Sequence, residues 1–196
     1  LFIDLDNFKQ VNDQHGHDAG DALLRIFALR AQRALERHCE SRPETETAFA
    51  RLSGDEFAVL LLSPAANDSL TELTDALLGL CRGGFRVDDR LYQVSVSIGT
   101  ARYPDDAASV TQLLTRADSA MYQAKAMGKN FAVAFSAELE QRDQRIRLIE
   151  EQLRTLNGDD QFRLVYMPAV DREGAVVSCE ALLRWHSPLL GTVSPG

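Results

Sequence analysis

The chain has 196 residues, 45% hydrophobic and 26% charged, which excludes a disordered tail and leaves room for one domain plus part of another. A net charge of -8 and a pI near 5.0 exclude a nucleic-acid backbone as the main partner, so a phosphate ligand would need local lysines or a bound cation. Three cysteines (Cys39, Cys81, Cys179) without metal spacing fit a reduced, cytoplasmic chain, and no apolar run reaches membrane-spanning length.

The opening "LFIDL" reads as a buried strand that ends in acids, Asp4 and Asp6, whose two-residue spacing sends both side chains to one face. "DQHGH" (13–17) reads as a loop. A helix is predicted from about Asp18, with Leu23, Leu24, Phe27, Ala31, Ala34 and Leu35 at helical spacing. "ESRPETETA" is a polar connector broken by Pro43. Next, "AFARL" and "FAVLLL" flank a Ser53-Gly54 turn, which predicts a hairpin with Asp55 and Glu56 at its tip facing solvent. A helix over 69–81 follows. "LYQVSVSIGTARY" alternates at Val94, Val96 and Ile98 and reads as one strand. "SVTQLLTRADSAMYQAKAMGKN" is a helix with Ser109 as N-cap and Gly128 near its end, and "FAVAF" is a short strand.

The predicted order is β-α-β-β-α-β-α-β, an α/β (α+β) fold with helices flanking a mixed sheet. From Ser136 to Asn157 the pattern becomes one long helix. Leu139, Ile146, Ile149, Leu153 and Leu156 follow seven-residue spacing with Arg142 interrupting, and Gly158 is the expected C-cap. That spacing fits either a coiled-coil linker or a helix packed on a following domain. "FRLVYMPAV" and "AVVSCEALLRW" read as two strands joined by "DREG". Both ends of the chain read as cut, with "LGTVSPG" stopping at a turn, so a longer protein is expected and any membrane attachment would lie outside this stretch.

Several residues carry possible chemistry. If the first strand neighbours the hairpin, Asp4 and Asp55 can meet, and oxygen ligands converging from rigid strands suit Mg²⁺. Lys125 and Lys129 share one helix face, as a polyphosphate clamp or as a solvated helix end. Asn12 and Asp21 offer an amide and a carboxylate that can read a guanine edge, or simply cap a turn. "HGHDAGD" also suggests a His/Asp metal cluster through His15, His17, Asp18 and Asp21, though ligands so close in sequence seldom converge on one ion.

Together "DLDNFKQVNDQHGHDAGDALL", "RLSGDEFAVLL", "VSVSIGTARYP" and "RADSAMYQAKAMGKN" resemble the GGDEF domains, which make cyclic di-GMP from GTP. The resemblance covers residues 1–135. Residues 159–196 resemble the opening of an EAL domain, the cyclic di-GMP phosphodiesterase barrel, with a linker helix over 136–158 between them. It implies that Asp4, the Leu5 carbonyl and Asp55 hold Mg²⁺ or Mn²⁺, and that Glu56 helps deprotonate the ribose 3′-hydroxyl. It assigns guanine to Asn12 and Asp21. The triphosphate falls to Lys9, Lys125 and Lys129 with backbone N–H groups around Asn7 and Phe8. A homodimer, at least a transient one, follows from the two-fold symmetric product. In the EAL part, Glu180 matches a metal ligand and Arg184 a phosphate contact. Three departures stand out. Ser53 replaces the first Gly of the signature, Met167 replaces a Gln of the EAL part, and Glu44 and Thr47 replace the Arg-x-x-Asp of the product-inhibition site.

Overall fold

The computed structural model describes residues 1–156 and 160–194, so the expected cap at Gly158 lies outside the described residues. The chain falls into two compact units, Leu1–Glu140 and Gln141–Gly196. In chain order the elements are β1 (Phe2–Leu5), α1 (Phe8–His15), α2 (His17–Ser41), β2 (Glu46–Ser53), β3 (Glu56–Leu62), α3 (Ala66–Gly79), β4 (Phe85–Val87), β5 (Arg90–Tyr92), β6 (Val96–Thr100), α4 (Val110–Ala126), β7 (Ala132–Ala134), α5 (Ala137–Thr155), β8 (Phe162–Val170), β9 (Val176–Ser187) and β10 (Gly191–Val193).

In the first unit a five-stranded sheet runs β2-β3-β1-β6-β7. β1 is the central strand, antiparallel to both neighbours, and all four of its residues are buried. Its alternation divides the core. Ile3 and Leu5 join Leu23, Leu24 and Phe27 of α2 and Leu73 and Leu77 of α3 in the main cluster. Phe2 packs instead with Ala117 and Met121 of α4. Asp4, two residues from Phe2, therefore emerges on the α4 face. The sheet is mixed, with β6 and β7 parallel, and the helices flank it as the composition and periodicity suggest.

Three local expectations are corrected. Asp13 to His17 is not a loop: α1 continues through His15, and only Gly16, at φ +84°, separates it from α2. The predicted strand over 91–103 is interrupted after Tyr92. Leu91 and Tyr92 pair instead with β4 in a two-stranded hairpin, whose turn carries Asp88 at φ +51°. Ser95 then turns to Asp6, accepting from its backbone N–H at 2.9 Å and donating from its hydroxyl at 2.6 Å, before β6 begins. Finally, the end of the chain is not a bare turn, because β10 pairs with β9.

α4 starts where predicted, with Ser109 Oγ accepting from the Gln112 backbone N–H at 3.3 Å. Its seating depends on Gly99 of β6. A Cβ there would lie 1.9 Å from the Ala117 carbonyl oxygen and 2.2 Å from the Met121 nitrogen, so only glycine lets the helix backbone approach this closely.

In the second unit α5 leads to an antiparallel three-stranded sheet ordered β10-β9-β8. Trp185 is buried and stacks on Phe162 at 5.8 Å. Ile146 and Leu153 of the predicted seven-residue seam are exposed. The described residues of this unit form a sheet, not a barrel. Among the described residues no helix is long and apolar enough to cross a membrane.

Candidate active site

Pairing of β1 with β3 sets Asp4 opposite Glu56, and the Leu5 backbone N–H donates to the Asp55 carbonyl at 3.3 Å. The hairpin predicted from Ser53-Gly54 is present with its tip against the end of the central strand, and Gly54 takes the left-handed φ of +45°. Asp55 and Glu56 are half-buried, not facing open solvent as expected from sequence, because β1 runs alongside them. Arg51 Nε donates to the Gly54 carbonyl at 2.8 Å, and Ser53 Oγ donates to the Glu56 carboxylate at 2.6 Å.

Asp4 is only 5% exposed, and Lys125 Nζ reaches its carboxylate at 2.6 Å. Burial pushes the Asp4 carboxyl up to about 6; the Lys125 hydrogen bond pulls it down, and the Asp55 charge raises it further. Two acids and one lysine therefore meet across three elements. The donor set of Asp4, Asp55 and the Leu5 carbonyl is all oxygen and anionic, which suits a hard divalent cation. Among the described residues no three His, Cys, Asp or Glu side chains gather into a cluster, so such an ion would draw its other ligands from water or phosphate.

Next to this cluster the chain turns sharply into α1. Asn7 is left-handed at φ +61°, and no side chain caps the first amides of the helix, those of Phe8 and Lys9 among them. Free N–H groups at a helix start attract anions. Lys9 is exposed beside them. Lys125 and Lys129 do not share a helix face as expected: α4 ends at Ala126, and Gly128, Lys129 and Asn130 all have positive φ, which bends the chain back so that Lys129 Nζ donates to Asn7 Oδ1 at 2.7 Å. Asn130 N–H donates to Asp6 at 3.2 Å. Asp6 also accepts from the Ser95 and Ser97 hydroxyls at 2.6 and 2.7 Å. Asp6 is a buried tie between β1, β6 and the segment after α4.

Asn12 and Asp21 sit on either side of the α1–α2 junction. Gly20 lets α2 pass close to Asn12, since a Cβ there would stand 1.9 Å from Asn12 Oδ1. That oxygen is buried without a protein donor. Asp21 is exposed on the next residue and lines a cleft of about 330 Å³ with Leu24, Arg25, Phe49, Arg51 and Phe57. The Asp21 carboxylate at this cleft can accept hydrogen bonds from a planar base, whereas Asn12 is not among the cleft's lining residues.

In the second unit Glu180 stands opposite Met167 on the β8–β9 pair, with Arg184 on the same face of β9. Three residues that matter to the first site went unread in the sequence, namely the close-approach glycines Gly20 and Gly99 and the hydroxyl of Ser53 as a partner for Glu56, while Asp6 was read beside Asp4 but not as a tie. For Asp6 a signal existed in its spacing from Asp4. The others depend on contacts between distant elements or on one rotamer.

The family described as "Diguanylate cyclase, GGDEF domain" matches residues 1–131. The Vibrio cholerae biofilm architecture maintenance protein MbaA is 44% identical over 197 residues, covering 100% of this chain and 25% of its own. The Pseudomonas aeruginosa cyclic di-GMP phosphodiesterase NbdA is 35% identical, covering 100% of this chain and 24% of its own. The chain thus spans about a quarter of the length of these relatives. Among solved structures, the GGDEF domain of YfiN (TpbB) from Pseudomonas aeruginosa is 36% identical with a TM-score of 0.60, covering 69% of this chain and 80% of that one.

Proposed function

The chain belongs to the GGDEF domain family of cyclic di-GMP signalling, and from that premise we propose that it binds GTP with Mg²⁺ or Mn²⁺ and condenses two GTP into cyclic di-GMP. The observation that carries this reading is the meeting of Asp4, Asp55 and Lys125 at the end of the central strand. Asp4, the Leu5 carbonyl and Asp55 would hold the ion. Such an ion supplies charge neutralisation at the α-phosphate and activation of the attacking hydroxyl.

The chain's own groups do the rest. Lys9, Lys125, Lys129 and the amides around Asn7 and Phe8 bind and orient the triphosphate. Asn12 and Asp21 fix the guanine edge. Glu56 takes the proton of the ribose 3′-hydroxyl as its oxygen attacks the α-phosphorus of the facing GTP, and pyrophosphate leaves. The event occurs twice, so two domains facing each other release two pyrophosphates and one cyclic product. A transient homodimer follows. A GTP substrate would be met in the cytoplasm.

Residues 159–196 are proposed as the start of an EAL domain, with Glu180 as a metal ligand and Arg184 as a phosphate contact, joined through a linker over 136–158 to a GGDEF domain of 1–135. Two relatives that match the whole chain support this, one named a phosphodiesterase and another, MucR of Pseudomonas aeruginosa, named a bifunctional cyclase/phosphodiesterase. Ser53 in the signature favours a second reading, a GTP-binding module that regulates the phosphodiesterase. Incubating the protein with GTP and Mg²⁺, and separating cyclic di-GMP from its linear hydrolysis product, decides between them. The first reading expects guanylyl dinucleotide product. The second expects none, with GTP still bound and phosphodiesterase activity responding to it.

A further inference from the structure

Glu56 lies on β3 between two strands. Asp4 of β1 is its partner on one side, and Ser53 of β2 is its partner on the other. Its carboxylate is bonded to Ser53 Oγ at 2.6 Å, on the β2 side. The acid that the proposed reaction needs near the metal-binding pair is thus drawn toward the strand opposite Asp4. Ser53 is not in the left-handed region, so its backbone does not require glycine. Whatever serine does here, it does through its hydroxyl.

From this geometry we infer that Ser53 is a positioning residue that latches Glu56 away from the reacting ribose hydroxyl and holds the cyclase at a reduced rate. The inference rests on the cyclase reading above. A short hydroxyl–carboxylate bond is charge-assisted, and it must break before Glu56 can turn toward a hydroxyl on the Asp4 side. The cost falls on turnover. GTP binding is left alone, because the proposed guanine and phosphate contacts lie on α1, α2, the end of α4 and the segments beside them, not on Ser53. The bond also gives the hairpin a second brace besides Arg51 to Gly54, so the latch is part of the turn itself.

The test compares the protein with Ser53→Ala, Ser53→Gly and Ser53→Thr, measuring kcat and KM for GTP with Mg²⁺ and the melting temperature of each. Ser53→Ala removes the hydroxyl without adding backbone freedom and should raise kcat about fivefold, the effect of releasing one such bond, with KM unchanged. Ser53→Gly should rise similarly. Ser53→Thr retains a hydroxyl and should stay near the original rate. Product from the unaltered protein with no rise in Ser53→Ala, or a rise in Ser53→Thr equal to that in Ser53→Ala, overturns the latch and leaves the cyclase reading standing. No product from any of the four forms overturns both.

Discussion

Lys125 Nζ lies 2.6 Å from the Asp4 carboxylate, joining the last turn of α4 to the central strand across one face of the sheet. The same pattern recurs beside it, where Lys129 holds Asn7. Groups assigned to triphosphate and metal thus pair with one another. On the proposed function, a metal–nucleotide complex would exchange these partners, each lysine moving from a protein oxygen to a phosphate oxygen. The site is held in shape by its own internal pairs.

The first prediction concerns pH. The Asp4 carboxyl stands at about 6, above the ordinary 3.8, so the folded state holds that proton more tightly than the unfolded state does. Its ionisation penalises folding; the penalty is absent below about pH 3.8, grows between 3.8 and 6, and is complete above 6. In urea melts with chelator present, Asp4→Asn should gain stability relative to the original protein at pH 7.5, and the gain should shrink as pH falls toward 4.5. A gain that grows on acidification would refute the assignment.

Asp55 should matter for ion binding and little for folding. Its side chain is half-buried at a hairpin tip, and the bond it contributes to β1 comes from its backbone carbonyl, which Asp55→Asn retains. Stability should change by no more than about 0.5 kcal/mol. Mn²⁺-dependent GTP binding, followed by calorimetry, should fall sharply. The double change with Asp4→Asn should cost binding much less than the sum of the singles, because both acids would serve one ion. Additive losses would place them at separate sites.

Gly99 lies far from the proposed chemistry in sequence, yet it seats the helix that carries Lys125. Gly99→Ala forces α4 off β6 and should cost about 1–3 kcal/mol, as overpacking does. It should also weaken GTP binding, because Lys125 moves with the helix. Ala117→Gly leaves the backbone clash in place and should not rescue it. Denaturant melts and nucleotide titrations on the same samples check both effects.

The inhibitory product site should be missing. Glu44 is exposed, and Thr47 is partly buried on β2, near Cys39 Sγ at 3.5 Å. Neither offers the guanidinium that an anionic dinucleotide requires. Calorimetric titration of cyclic di-GMP should show no micromolar site that responds to Glu44→Arg reversal or to Arg51→Ala. A tight site abolished by Arg51→Ala would contradict this.

The sheet and its main helices were legible because their signals are local and periodic. Leu23, Leu24, Phe27, Ala31 and Leu35 repeat at helical spacing and are all buried. The hairpin was legible from Ser53-Gly54. α1 was hidden because "DQHGH" has loop-forming residues, while the helix is held by Phe8 and Val11 packing into the core. The break before Val96 was hidden because Ser95 looks like any strand serine until Asp6 is placed beside it. In the site, residue types identified the acids and lysines, but not how far they are buried or whom they pair with. That Asp4 is deep depends on β1 pairing with a strand more than fifty residues away, and that Glu56 is held from β2 depends on one Ser53 rotamer across the hairpin.

Placing Asp4 on the central strand has a further consequence. Edge strands and loops can open to solvent while the rest of a domain stays folded, but a strand paired on both sides and buried at every position opens only when the whole unit unfolds. The amides of Phe2 to Leu5 should therefore be among the slowest in the domain to exchange with deuterium. Any ion held by Asp4 would be bound by the cooperative unit itself, not by a flap above it. Occupancy of the site and survival of the fold then share one equilibrium, and the domain's resistance to unfolding becomes a gauge of how much metal–nucleotide it holds.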